Sequence, residues 1–256
     1  GKPLRTYARP TEGEIMATGA APATVTVCDN GQAYTRVKCV VEFAGADGLP
    51  TLTVTSRYEF WSGSPLAKLS HSFLVQGKAT HSEFEEIYLD IPLAGQAWQA
   101  ELKDGGSVEL KASDGLYQRE FKHYVLNGGE PVDGRFTGQF HSGTDVIVLR
   151  QFWELYPKGF RVATDGVKLD LCPDFAEGYY DSFPFDVNST KYYFYLREGH
   201  YRFRRGMRKT HEILLGTVAD AGAVQAVANA FQRPLLATAP AAWYCGSGAF
   251  YSVAPR

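Results

Sequence analysis

Segment 197–212 crowds arginines, one lysine and two histidines into a single short stretch. If 207–215 is extended, Lys209 and His211 share a face with Ile213, while Arg208, Thr210 and Glu212 take the other. A cation beside an imidazole lowers its pKa by like-charge repulsion, which leaves a neutral base at physiological pH. That suits proton abstraction beside an anionic substrate. On this reading Lys209 and His211 are catalytic, Arg205, Arg208 and His200 hold a carboxylate, and Tyr180 or Tyr201 delivers a proton. The plainer reading is a solvated basic edge that discourages strand pairing.

Two further clusters carry chemistry. Trp153, Tyr156 and Lys158 end an aromatic strand in a Pro-Lys-Gly turn, where rings can stack on a sugar face or simply pack a rim. Asp170, Asp174, Glu177, Tyr179, Tyr180, Asp181 and Asp186 mix oxygen ligands with phenols in an irregular stretch. No metal or other cofactor is expected. Calcium is the one ion the acids admit, and their spacing matches no standard loop. His71 and His141 read as structural histidines on strands, and His81 and His123 lack supporting neighbours. No G-x-S-x-G, phosphate-binding glycine loop, H-E-x-x-H or dinucleotide fingerprint occurs.

The elements that must position these groups read as sheet. Runs 23–28, 34–43, 52–61, 67–75, 84–91, 98–103, 107–112, 116–122, 135–140 and 145–154 are β-branched and aromatic, broken by Gly, Asp, Asn or Pro. Turns at 29–31, 46–48, 104–106 and 113–115 supply residues that tolerate positive φ. Further strands are expected at 167–171, 191–196 and 210–216, and the stretch 172–188 reads as a long loop. Only 220–232 is helical, with Asp220 as its cap and Pro234 as its stop. So many strands exceed one open sheet, so the expected fold is all-β: a large antiparallel sandwich forming one domain over 1–256, with 234–256 as a strap or linker.

The chain has 256 residues, 26 basic against 28 acidic, for a net charge of −2. That balance argues against a nucleic-acid partner. No run reaches the roughly 18 apolar residues of a membrane span, so no membrane partner is expected. A first residue of Gly rather than Met suggests a processed chain or one cut from something longer. Cys28, Cys39, Cys172 and Cys245 form no C-x-x-C pair; Cys28 and Cys39 are placed to meet across a hairpin, or to serve as small buried hydrophobes.

Several segments together resemble the β-rich central portion of the exo-acting rhamnogalacturonan lyases and their uncharacterised bacterial relatives. They are Arg57-Tyr58-Glu59-Phe60-Trp61-Ser62-Gly63-Ser64-Pro65 with Leu69-Ser70-His71-Ser72-Phe73, Phe152-Trp153-Glu154-Leu155-Tyr156-Pro157-Lys158-Gly159, Gly206-Met207-Arg208-Lys209-Thr210-His211-Glu212, and Pro234-Leu235-Leu236-Ala237 with Ala242-Trp243-Tyr244. The resemblance implies a sandwich module of a pectin-degrading enzyme, flanked by another β-domain and a helical toroid. It implies β-elimination at a uronic acid in an acidic polysaccharide or oligosaccharide, outside the cytoplasm. Two other readings stand beside it: a non-catalytic carbohydrate-binding or scaffold module, and a sugar epimerase or mutarotase whose His and Glu handle an anomeric proton.

Overall fold

The computed structural model describes residues 3–45, 48–93, 95, 97–180, 196–234 and 238–248. The strands are β1 (Arg5–Pro10), β2 (Met16–Ala17), β3 (Ala23–Asn30), β4 (Tyr34–Ala44), β5 (Pro50–Trp61), β6 (Leu66–Val75), β7 (His81–Ile91), β8 (Ala97–Leu102), β9 (Ser107–Lys111), β10 (Gly115–Gln118), β11 (His123–Leu126), β12 (Val132–Asp133), β13 (Phe136–Ser142), β14 (Asp145–Leu149), β15 (Lys158–Ala163), β16 (Gly166–Cys172), β17 (Tyr201–Arg204) and β18 (Arg208–Thr217). The helices are α1 (Ala223–Gln232) and α2 (Ala241–Gly246).

These strands form two nine-stranded sheets. Sheet one runs β12-β11-β10-β15-β16-β7-β1-β2, with β17 also on β7; sheet two runs β3-β4-β5-β6-β18-β14-β13-β8-β9. Every pairing is antiparallel. The protein is therefore an all-β sandwich. The alternation that defines each strand puts its apolar residues on one face, and the two apolar faces meet. Leu69, Leu89, Phe140, Phe160, Leu169 and Ile213 fill one end of the interface, with Phe140 and Phe160 stacked at 3.9 Å. Phe73, Phe84, Cys172, Tyr201 and Phe203 fill the other. Helix α1 covers the outer face of sheet two, setting Val224 and Ala228 on Val146 and Val148.

The helix ends where the reading put it, at Gln232, but begins at Ala223, three residues later than the expected 220. Its N-cap position is Gly222, and Asp220 Oδ1 accepts the Ala223 N–H at 3.0 Å. The tail holds a helical turn that composition did not signal, and β1 and β2 were likewise unanticipated. The run expected over 145–154 stops at Leu149: Gln151 takes φ +58° and its carbonyl accepts from Leu155 N–H at 3.0 Å, so the chain turns. Lys158 consequently opens a strand instead of sitting in a turn. At Gly138, φ is +83° and a Cβ would lie 2.2 Å from the Leu149 carbonyl, so that crossing requires glycine. All four cysteines are free; Cys39 faces Val25 across the hairpin and Cys28 falls at a register shift, so the two do not meet. Most of the strand expected at 191–196 lies outside the described residues, as do residues 46–47 of one expected turn.

Candidate functional site

Strand β18 alternates as its sequence reads, with Ile213 in the core and Arg208 and Thr210 exposed. Lys209 and His211 point with Ile213 into the space between the sheets. His211 is 2% exposed and stands beside His71 of β6, which is fully buried. From sheet one, fully buried Lys158 reaches the same place, its Nζ donating to the Leu171 carbonyl at 2.8 Å and to the Pro157 carbonyl at 3.1 Å. The charge of Lys209 acts on its amine from β18.

Burial sets the electrostatics here, because a charge inside the sandwich loses its hydration. Burial holds His71 down at about 4. His211 is held well below its ordinary value by burial, then by the charges of Lys158, Lys209 and His71. Lys158 is depressed by burial and by Lys209. The lowered imidazole expected beside Lys209 is thus present, with burial as its larger cause.

The exposure expected of this face is not found. Lys209 and His211 were read as a surface on which an anionic sugar docks; they face inward because the flanking Ile213 and Phe73 pack against sheet one. Tyr180 and Tyr201 are buried too, their hydroxyls donating to the Arg119 carbonyl at 2.8 Å and the Pro173 carbonyl at 2.6 Å. Burial raises both phenols, which makes them poorer proton donors.

The expected sugar-binding residues are scattered. Arg205 and Arg208 are exposed and do not share the face of His211. His200 lies on the Glu198 carbonyl at 2.9 Å and 3.4 Å from a Glu83 carboxylate oxygen. Trp153 has Lys103 at 4.1 Å and Arg135 at 5.1 Å over its ring, and meets Phe121 at 4.9 Å, so its ring is already partnered. Tyr156 is half-buried and precedes cis-Pro157. Of the histidines read as lacking support, His123 lies 2.7 Å from Asp133, and structural His141 lies 3.3 Å from Glu101.

An open groove of about 570 Å³ lies on the outer face of sheet one, lined by Tyr117, Arg119, Arg161, Lys168 and Asp174 among others. Register builds it. Tyr117 pairs with Gly159, Gly159 with Asp170, Asp170 with Tyr88, and Tyr88 with Tyr7, a row running across five strands. A Cβ on Gly159 would lie 2.7 Å from Asp170 Oδ2 and 2.8 Å from the Tyr117 ring, so glycine lets the phenol close over the carboxylate. Tyr7 and Tyr88 stack at 5.0 Å.

Charges sit on this aromatic row. Arg161 Nε donates to Asp170 at 2.9 and 3.1 Å, and Arg161 Nη2 donates to Asp170 and, at 3.2 Å, to Glu86. Burial pushes the Asp170 carboxyl up to about 6 against the pull of Arg161. The Arg119 guanidinium lies 4.4 Å from the Tyr117 ring centre and donates to the Asp174 carbonyl. Lys168 stands 5.0 Å over Tyr88 and meets no carboxylate among the described residues. Burial raises both Tyr88 and Tyr117 to about 12, so these phenols stay protonated.

The acidic stretch read for calcium does not gather. Asp170 is committed to Arg161, Asp174 and Glu177 are exposed, and Asp181 and Asp186 lie outside the described residues. Among the described residues no group of three or more His, Cys, Asp or Glu stands together to hold a metal. Segment reading missed the groove because its residues come from separate strands. The available signal was the charge at outward positions between apolar neighbours, as in Phe160-Arg161-Val162 and Val167-Lys168-Leu169.

No protein-family model and no curated protein matches the sequence. Among solved structures, the chain is similar to a protein assigned as an aldose 1-epimerase from Klebsiella pneumoniae (14% identity, TM-score 0.49, covering 90% of this chain and 67% of that one). It is also similar to a family 36 α-galactosidase from Geobacillus stearothermophilus, with 11% identity and TM-score 0.41, covering 84% of this chain. A glycosyl hydrolase family 38 protein from Enterococcus faecalis gives 12% identity and TM-score 0.44, covering 90% of this chain. The chain spans about 30% of the α-galactosidase and 28% of the family 38 protein. None of these three is a rhamnogalacturonan lyase.

Proposed function

We propose that this sandwich recognises an acidic carbohydrate, a uronic-acid-containing oligosaccharide or polysaccharide of the pectin or rhamnogalacturonan kind, in the outer groove of sheet one. One observation carries the reading: Arg119, Arg161 and Lys168 line an open groove with half-buried Tyr117, and Arg161 and Lys168 also stand over half-buried Tyr88 beside it. A pyranose ring presents an apolar face to a phenol, and its carboxylate takes charge-assisted hydrogen bonds from Lys168 and the guanidinium groups. Such a ligand places the chain outside the cytoplasm, beside the flanking domains that the lyase resemblance implies.

The binding-module reading is favoured over catalysis, because no histidine lines the groove, His211 is enclosed and Lys209 is half-buried on the face away from it. Titration calorimetry with oligogalacturonides tests it. Lys168→Ala and Tyr117→Ala are each expected to weaken binding about tenfold, a loss of about 1.4 kcal/mol. Equal binding of a neutral oligosaccharide, or unchanged affinity in both variants, counts against the groove.

β-Elimination is the second reading, favoured by the gathering of Lys158, Lys209 and His211. It predicts the ultraviolet absorbance of an unsaturated uronide, lost in the Lys209→Ala, His211→Ala double variant. Binding without that absorbance leaves recognition alone.

A further inference from the structure

Between the sheets, on the face opposite the groove, nitrogen bases meet without an acid. Lys158 comes from β15, His71 from β6, and Lys209 and His211 from β18; the other titratable groups facing them are the Cys172 thiol of β16 and the Tyr201 phenol of β17. Burial raises both of these, so they stay neutral. Asp170, two positions from Cys172, points to the outer face and is held by Arg161.

The hydrogen-bond account is also incomplete here. Neither ring nitrogen of His211 has a protein partner, nor does Nε2 of His71, whose Nδ1 meets Ser56 Oγ at 3.0 Å. Buried polar atoms in folded proteins are almost always partnered, by protein, water or an ion. Lys158 donates to two carbonyls, and the charged group that acts on it beyond them is Lys209, a second amine. A water molecule satisfies an orphaned ring nitrogen but does not offset the positive charge that Lys209 brings toward Lys158 and His211. An anion does both.

We propose that Lys158, Lys209 and His211 form a binding site for a small monovalent anion, a halide or a formate-sized carboxylate, locked between the two sheets. The seal sets the size: Lys158, His71, His211 and Cys172 are all at most 2% exposed. Half-buried Lys209 is the way in. The site is independent of sugar recognition, since its groups point away from the outer groove.

The test is the thermal midpoint of the full chain at about pH 6, where protonation of the enclosed imidazoles requires an anion to offset the charge. Sodium chloride or sodium formate replaces sodium sulfate at constant ionic strength; sulfate is divalent and too large for the site. The midpoint is expected to rise with the logarithm of the anion concentration, by about 5 °C at a hundred times the dissociation constant. The rise disappears in Lys209→Met, which keeps the stem of a half-buried side chain, and in Lys158→Met if that variant folds. A response to chloride alone identifies a halide site, and one to formate alone a carboxylate site. No response to either anion, or an equal rise in Lys209→Met, overturns the proposal.

Discussion

Asp170→Ala is expected to lower the thermal midpoint by on the order of 10 °C, because it strands a guanidinium inside the sheet surface. Asp170 is fully buried, and it receives Arg161 through both carboxylate oxygens. Breaking such a pair from one side costs about 3–5 kcal/mol, since the surviving charge has lost its partner without regaining water. The Arg161 side chain keeps 25% exposure and its contact with Glu86, so partial rehydration places the cost toward about 3 kcal/mol. Gly159 adds to the loss: the space beside it is filled by the Asp170 carboxylate and the Tyr117 ring, and alanine leaves part of it empty. The double variant Asp170→Leu, Arg161→Leu removes both charges and is expected to be more stable than Asp170→Ala. A single variant within about 2 °C of the parent, or a double variant worse than the single, would show that the pair is not coupled.

The contrast between this pair and Lys209–His211 shows what the sequence encodes. Alternation in β4 and β5 was legible because apolar and polar residues take turns, and the hairpin turns were legible because Gly105 and Gly106 need positive φ. Lys209-Thr210-His211 alternates polar with polar, so it reveals which residues share a face but not which face is covered. Phe203, Phe73 and Tyr201, packed around that face, decide the matter through tertiary contact. The charge of Lys158 reaches His211 from the opposite sheet, a proximity no local pattern signals. The break after Leu149 was hidden because Phe152 and Trp153 continue the aromatic run, while the left-handed Gln151 carries no compositional mark. The outer groove depends on the strand order β10-β15-β16-β7, and nothing short of the pairing aligns Tyr117, Asp170 and Tyr88.

Acid is expected to unfold this protein through its enclosed histidines, in dilute phosphate free of halide and carboxylate salts. His71 sits at about 4 in the folded chain against an ordinary 6.5, so the stability it contributes is complete above 6.5 and lost as the pH falls toward 4. That difference corresponds to about 3 kcal/mol. His211 is lowered in the same direction and adds to the loss. Asp170 acts the other way: raised from 3.8 to about 6, it favours the folded state at low pH and loses that contribution as the pH rises through 6. One carboxyl therefore offsets one histidine, and the net loss between neutral pH and pH 4 is the part that His211 adds. His211→Leu separates this account from general acid denaturation. The imidazole makes no hydrogen bond within the protein, and leucine is an apolar group of similar volume, so the variant is expected to stay within about 1.5 kcal/mol of the parent at neutral pH. Urea unfolding at about pH 4 is then expected to find the variant more stable than the parent, a reversal that only removal of a buried base produces. Parallel pH profiles for the two proteins would mean that His211 gains its proton without cost, and that the nitrogen cluster is open to water.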